Sequence, residues 1–156
     1  MTEPQPDNAP AVEQADTATS IARLNELAWQ LADSEMIRAY TLAERAHTLA
    51  GAPPDEAGLA YSLRTLGVLN LQLGNIGAGI AQLVEARDRC VTLQLDDGLA
   101  DVYGALATLH RDVGDTAAAL EAAEQQWAAA RRAGDRERVA TALGGLAEVY
   151  QARHEH

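Results

Sequence analysis

The chain has 156 residues, of which 47% are apolar and only 4% aromatic, with no phenylalanine and a formal net charge of −11. That length suits one domain with a core of its own. The acidic balance argues against a nucleic-acid backbone or an anionic membrane surface as partner, since both need a basic patch.

All twelve basic residues are arginine, so a Walker lysine, a Schiff-base lysine and a catalytic lysine–glutamate pair are excluded. Cys90 is the single cysteine, which excludes an intrachain disulfide. No apolar run approaches the roughly 18 residues of a membrane span. The acidic, proline-containing start is unlike a signal peptide. These features together read as a cytoplasmic protein. Alanine and leucine, strong helix formers, supply most of the apolar count, and β-branched residues are scattered. The expectation is an all-α chain.

Residues 1–18 open with MTEPQPDNAPAVEQADT, which holds three of the five prolines, four acids and no base. This composition predicts a disordered acidic leader. From residue 19 a helical pattern repeats in units 19–58, 59–98 and 99–138, followed by a single helix over 139–153. Leu66, Leu106 and Leu146 coincide at a shift of 40 residues, each followed by a small residue, Gly67, Ala107 or Ala147. The first unit fits with Leu27-Ala28 at that position and Ala39 opposite Gly79 and Ala119. Gly74 and Gly114 suit left-handed residues just past helix ends. Asn75 and Asp115 then suit N-caps, as does Asp33-Ser34 in the first unit. Breaks between units are expected at 51–55, at Asp96-Asp97-Gly98 and at Gly134-Asp135. The sum is seven helices in antiparallel pairs.

The stretch LGNIGAGIAQL (73–83) carries three glycines in six residues. A phosphate loop would need a lysine, or a GxGxxG motif after a strand; here the motif reads GxxGxG after a helical pattern. Gly79 falls where two helices must touch, whereas Gly77 has no predicted packing role. A DNA-reading helix-turn-helix is disfavoured by the acidic balance. His47 and His110 are far apart in the pattern. The tail His154-Glu155-His156 reads as an exposed end, so no metal or cofactor is expected. Cys90 reads as a small buried side chain. No nucleophile–base or paired-carboxylate constellation stands out, and the chain is expected to be noncatalytic.

The pattern Leu63, Leu66-Gly67, Gly79, Ala86, with Tyr103, Leu106-Ala107, Ala119 and then Leu143, Leu146-Ala147, Tyr150, resembles the tetratricopeptide repeat. Asn70, His110 and Gln126 depart from it. The 40-residue period resembles the longer-helix form found in bacterial signalling and regulatory proteins. The resemblance implies a right-handed α-solenoid whose first helix in each pair lines a concave face. It implies partner-binding positions at Asn25 and Trp29; at Tyr61, Arg64, Val68 and Leu71; at Asp101, Thr108 and Arg111; and at Thr141 and Glu148. The alternative for Trp29 and Tyr61 is that they fill the groove between units. The lysine–asparagine clamp for a chain-terminal carboxylate is missing. The implied function is a protein–protein interaction scaffold, the regulatory or sensory part of a bacterial signalling protein. The alternative is a sensor of a peptide or small molecule bound in the groove. The pattern stops after the first helix of a fourth unit and is expected to leave Ala142 and Val149 unpartnered. That suits either a fragment of a longer chain or a homodimer through this helix.

Overall fold

Alanine- and leucine-rich segments coil into seven helices in a computed structural model that describes residues 9–155. They are α1 (Ala9–Leu31), α2 (Met36–Ala50), α3 (Glu56–Gln72), α4 (Ile76–Leu93), α5 (Asp96–Asp112), α6 (Thr116–Ala133) and α7 (Arg136–His154). Among the described residues there is no β-strand, and no helix is long and apolar enough to cross a membrane.

Turn chemistry sets the boundaries. Gly74, Gly114 and Gly134 take φ values of 82°, 78° and 69° just after α3, α5 and α6, a conformation that costs glycine little. Asp55, Asp115 and Asp135 cap α3, α6 and α7: their carboxylates accept from the backbone N–H of Gly58, Ala118, and both Glu137 and Arg138.

Four expectations are corrected. Residues 9–18, expected in the leader, belong to α1, and residues 1–8 lie outside the described residues. Pro10 did not preclude this helix, because a first-turn proline interrupts no helical hydrogen bond. The second break between units falls at Gln94-Leu95, with Gln94 at φ 56°, while Asp96 and Asp97 enter the first turn of α5, where the helix dipole favours carboxylates. Asn75 makes no side-chain cap to α4; its Nδ2 donates to Asn70 Oδ1 at 3.1 Å. The residue ahead of α2 is Glu35, also without a side-chain cap.

The helices pack in consecutive pairs, α1 with α2, α3 with α4 and α5 with α6, and α7 lies on α5 and α6. The result is an all-α, solenoid-like fold. Among the described residues α1, α3, α5 and α7 each touch the next, whereas α2, α4 and α6 do not touch one another. Layers that meet on one side and splay on the other must curve, so α1, α3, α5 and α7 form the inner face.

Small residues bring the paired helices together. Every buried residue of α2 is alanine, and five of the six on α6 are (Ala119, Ala122, Ala123, Ala129, Ala130). Ala142 and Val149 are corrected too: both are buried, Val149 in the cluster of Ala119, Ala122 and Ala123, and Ala142 with Ala129 and Ala130. The large apolar residues that α7 leaves exposed are Leu143 and Tyr150. Asn70, a departure from the repeat pattern, bridges its pair: Nδ2 donates to Gln82 Oε1 at 2.7 Å.

The two extra glycines of 73–83 differ in kind. A Cβ on Gly79 would meet Leu71 Cδ2 at 2.7 Å and the Gly67 carbonyl oxygen at 2.9 Å, while one on Gly77 would meet nothing within 4 Å. Gly77→Ala should therefore stabilise the fold by up to about 1 kcal/mol, raising Tm by about 2–4 °C. Gly79→Ala should destabilise it by about 1–3 kcal/mol through overpacking. Calorimetry on the two variants checks the opposite signs.

Candidate functional site

A guanidinium withdrawn from water must find opposite charge, hydrogen-bond acceptors or a ring face. Arg64 on α3, only 4% exposed, finds all of these. Its Cζ lies 4.0 Å from the centre of the Trp29 ring on α1 and 5.0 Å from that of Tyr61. Its Nη1 donates to Asp101 Oδ2 on α5 at 2.8 Å. Asp101 also accepts a two-pronged contact from Arg138 on α7, Nε to Oδ1 and Nη2 to Oδ2, both at 3.0 Å. Arg138 turns back onto Asp135, the cap of its own helix. Trp29, Arg64, Asp101 and Arg138 thus form one continuous chain with a member on each inner helix.

Electrostatics follow from this placement. Burial pulls Arg64 below the usual arginine range, and the Asp101 carboxylate opposes that pull. Hydrogen bonds donated to Asp101 hold Arg138 above it. Backbone and side-chain bonds from Arg138 hold the Asp135 carboxyl below its ordinary value. Compensation is incomplete, because Arg64 Nε and Asn25 Oδ1 are buried without a protein partner.

Two further ties run between α3, α5 and α7. The Tyr61 hydroxyl donates to Asp97 Oδ1 at 2.8 Å; burial, reinforced by Asp97, pushes its phenol upward. Arg111 donates to Glu148.

The expected positions divide into four groups. Asn25, Tyr61, Arg64 and Asp101 serve cohesion between helices, and they also border open space: the first three line a pocket of about 350 Å³ with Trp29, and Asp101 borders the neighbouring groove. Asn25 is 3% exposed, and its Nδ2 donates to the Gly58 carbonyl at 3.0 Å. Trp29 both stacks on Arg64 and borders open space, so its groove-filling and groove-lining readings coexist. Val68, Thr108, Arg111, Thr141 and Glu148 line a groove of about 460 Å³ on the inner face, together with Trp29. Leu71 is corrected: it packs on the α3–α4 core against Gly79 and does not reach the groove.

Sequence reasoning missed Asp97, Arg138 and Gln126. The signal for Arg138 was present as spacing. Arg64 to Asp101, Asp101 to Arg138 and Arg111 to Glu148 are each separated by 37 residues. That is the 40-residue repeat less about one helical turn. Gln126, at a register position that is alanine elsewhere, lines the groove from α6.

Among the described residues no three His, Cys, Asp or Glu side chains are grouped so as to hold a metal ion. Compared with known proteins, the chain matches no family model and no curated sequence.

The ion-pair chain predicts an order of damage. Asp101→Asn leaves two guanidiniums facing each other and should cost about 3–5 kcal/mol. Arg64→Met leaves Asp101 paired with Arg138 and fills the space between the rings, so about 1–2 kcal/mol is expected. Urea denaturation of both variants tests this, and an inverted order would show that Asp101 is not the shared hub.

Cys90 gives a pH dependence. The thiol is fully buried beside Ala60, Leu99 and Ala100, and burial pushes it from 9.0 up to about 11. Below pH 9 the proton is bound in both folded and unfolded chains. Between pH 9 and about 11 only the unfolded chain releases it, so stability falls with rising pH, by about 1–3 kcal/mol in all. Cys90→Ala should remove this part of the alkaline loss. Urea midpoints from pH 8 to 11 for both proteins provide the check.

Proposed function

We propose that this chain is a noncatalytic interaction module of the tetratricopeptide type that holds a protein or peptide segment along its inner face. We place it in the cytoplasm, as the regulatory or sensory repeat region of a bacterial signalling protein. The observation that carries the reading is the braced groove. Trp29, Arg64, Asp101 and Arg138 tie four inner helices together, while Thr108, Thr141 and Glu148 stay exposed along the groove they frame.

A binding surface gains affinity when its shape is fixed before the partner arrives, because less freedom is lost on association. Charge pairs between repeats supply that fixity here. The 40-residue pattern and the pairwise packing support the tetratricopeptide assignment. The signalling context rests on the resemblance of the repeat length alone.

Site-specific photocrosslinking in cells tests the surface. A benzophenone amino acid at position 108 or 141 should yield discrete higher-mass adducts. The same group at Ile37, an outer residue 85% exposed, should yield none. Adducts confined to position 37 would place the interaction on the outer layer and end this reading.

A further inference from the structure

Gln126 differs from its counterparts in the outer layer. Its register position carries Ala46 on α2 and Ala86 on α4. From α6 its side chain reaches through to the inner groove, lining both the space between α5 and α7 and the adjoining space bordered by Trp29 and Arg138. The residue is 9% exposed.

Two glycines on facing helices make room for it. A Cβ on Gly104 of α5 would lie 2.7 Å from its Nε2, and one on Gly145 of α7 would lie 3.5 Å from its Oε1. Among the described residues no group bonds to this carboxamide. Unlike Asn25 Oδ1 and Arg64 Nε, it is not sealed from the surface. A polar group held nine-tenths buried, unpaired and facing open space points to a ligand that completes it.

The chemistry of the carboxamide narrows the class. It offers an N–H donor toward α5 and a carbonyl acceptor toward α7. The complementary partner presents a C=O and an N–H side by side, which a peptide main chain does along an extended edge. Nothing blocks the approach at Gly144, where a Cβ would meet no atom within 4 Å. Charge narrows it again. The two connected spaces are bordered by Asp33, Asp101, Asp135, Glu137 and Glu148 against Arg111 and Arg138. Among the described residues Asp33 and Glu137 form no ion pair. A surplus of carboxylates favours a cationic occupant.

We propose that Gln126 is a backbone-reading contact, and that the groove takes an extended, basic peptide segment whose main chain crosses α5 and α7 over Gly104 and Gly144. This rests on the inner face being a protein-binding surface.

The experiment is an NMR titration of the full chain with an alternating alanine–arginine decapeptide. Two control peptides accompany it, one with its four central amides N-methylated and one with glutamate in place of arginine. The Gln126 side-chain NH₂ and the Gly104 and Gly144 amides should shift on addition of the first peptide. N-methylation should weaken binding about tenfold, as should Gln126→Leu, which keeps bulk and removes both hydrogen bonds. Gly144→Leu should abolish binding while leaving the unbound spectrum folded, which preserves the test should Gln126→Leu fail to fold.

Shifts on the inner face that are indifferent to Gln126→Leu and to N-methylation would overturn the backbone contact and leave the inner face as the binding surface. Shifts confined to α2, α4 and α6 would overturn both. Equal binding of the glutamate peptide, or no saturation at millimolar concentration, would overturn the basic-peptide assignment.

Discussion

Gly67 on α3 and Gly79 on α4 face each other so closely that a Cβ on either would meet the other's carbonyl oxygen, at 3.1 Å and 2.9 Å. The same constraint is met by alanine along α2 and α6. A chain with no phenylalanine and only 4% aromatic residues has few bulky side chains to hold helices apart and fill the space between them. Its helices must come close, and dispersion contacts between backbones and methyl groups then replace large apolar burial. Only one layer can be tight throughout. The inner helices touch in sequence while the outer ones diverge, and the curvature of the inner face is the geometric consequence.

Close pairs do not by themselves fix the angle between one pair and the next. Here that angle is held by charge. Asp101 serves two arginines from opposite sides, so α3, α5 and α7 share one anionic hub, and the Trp29 ring extends the chain to α1. Such pairs in water would contribute little. Arg64 and Asp101 are mostly withdrawn from it, with side chains 5% and 11% exposed. The hub therefore acts more through specificity of stacking than through gross stabilisation. A slip of one turn between α3 and α5 would leave Arg64 buried without its anion.

The fold was legible because its signals were local and repeated. Leu66, Leu106 and Leu146 with their small successors marked the pairs, and Gly74, Gly114 and Asp135 marked the turns. Failures came where a residue served a contact not local in sequence. Gly98 looked like a turn, yet a Cβ there would meet Cys90 Sγ and Tyr61 Cε1, both at 3.0 Å. It is a packing glycine inside α5, and the break moved to Gln94. Leu71 looked inner by its repeat position and turned to Gly79 instead. Arg138 is hidden from a comparison at equal register, because side chains on tilted neighbours meet one turn out of register.

The register also explains why the inner face is not uniform. The position held by Arg64 on α3 is Gly104 on α5 and Gly144 on α7. In the first half of the layer that position is filled by a guanidinium locked between rings and a carboxylate, which narrows the space beside Trp29 and Tyr61 to about 350 Å³. In the second half the side chain is absent. Gln126 enters the gap at Gly104 from behind, and Gly144 stays bare. The open part of the groove falls where the repeat loses its arginine. One substitution pattern, arginine to glycine at a single register position, thus divides the layer into a half braced by a charge pair and a half whose wider groove is left to Gln126.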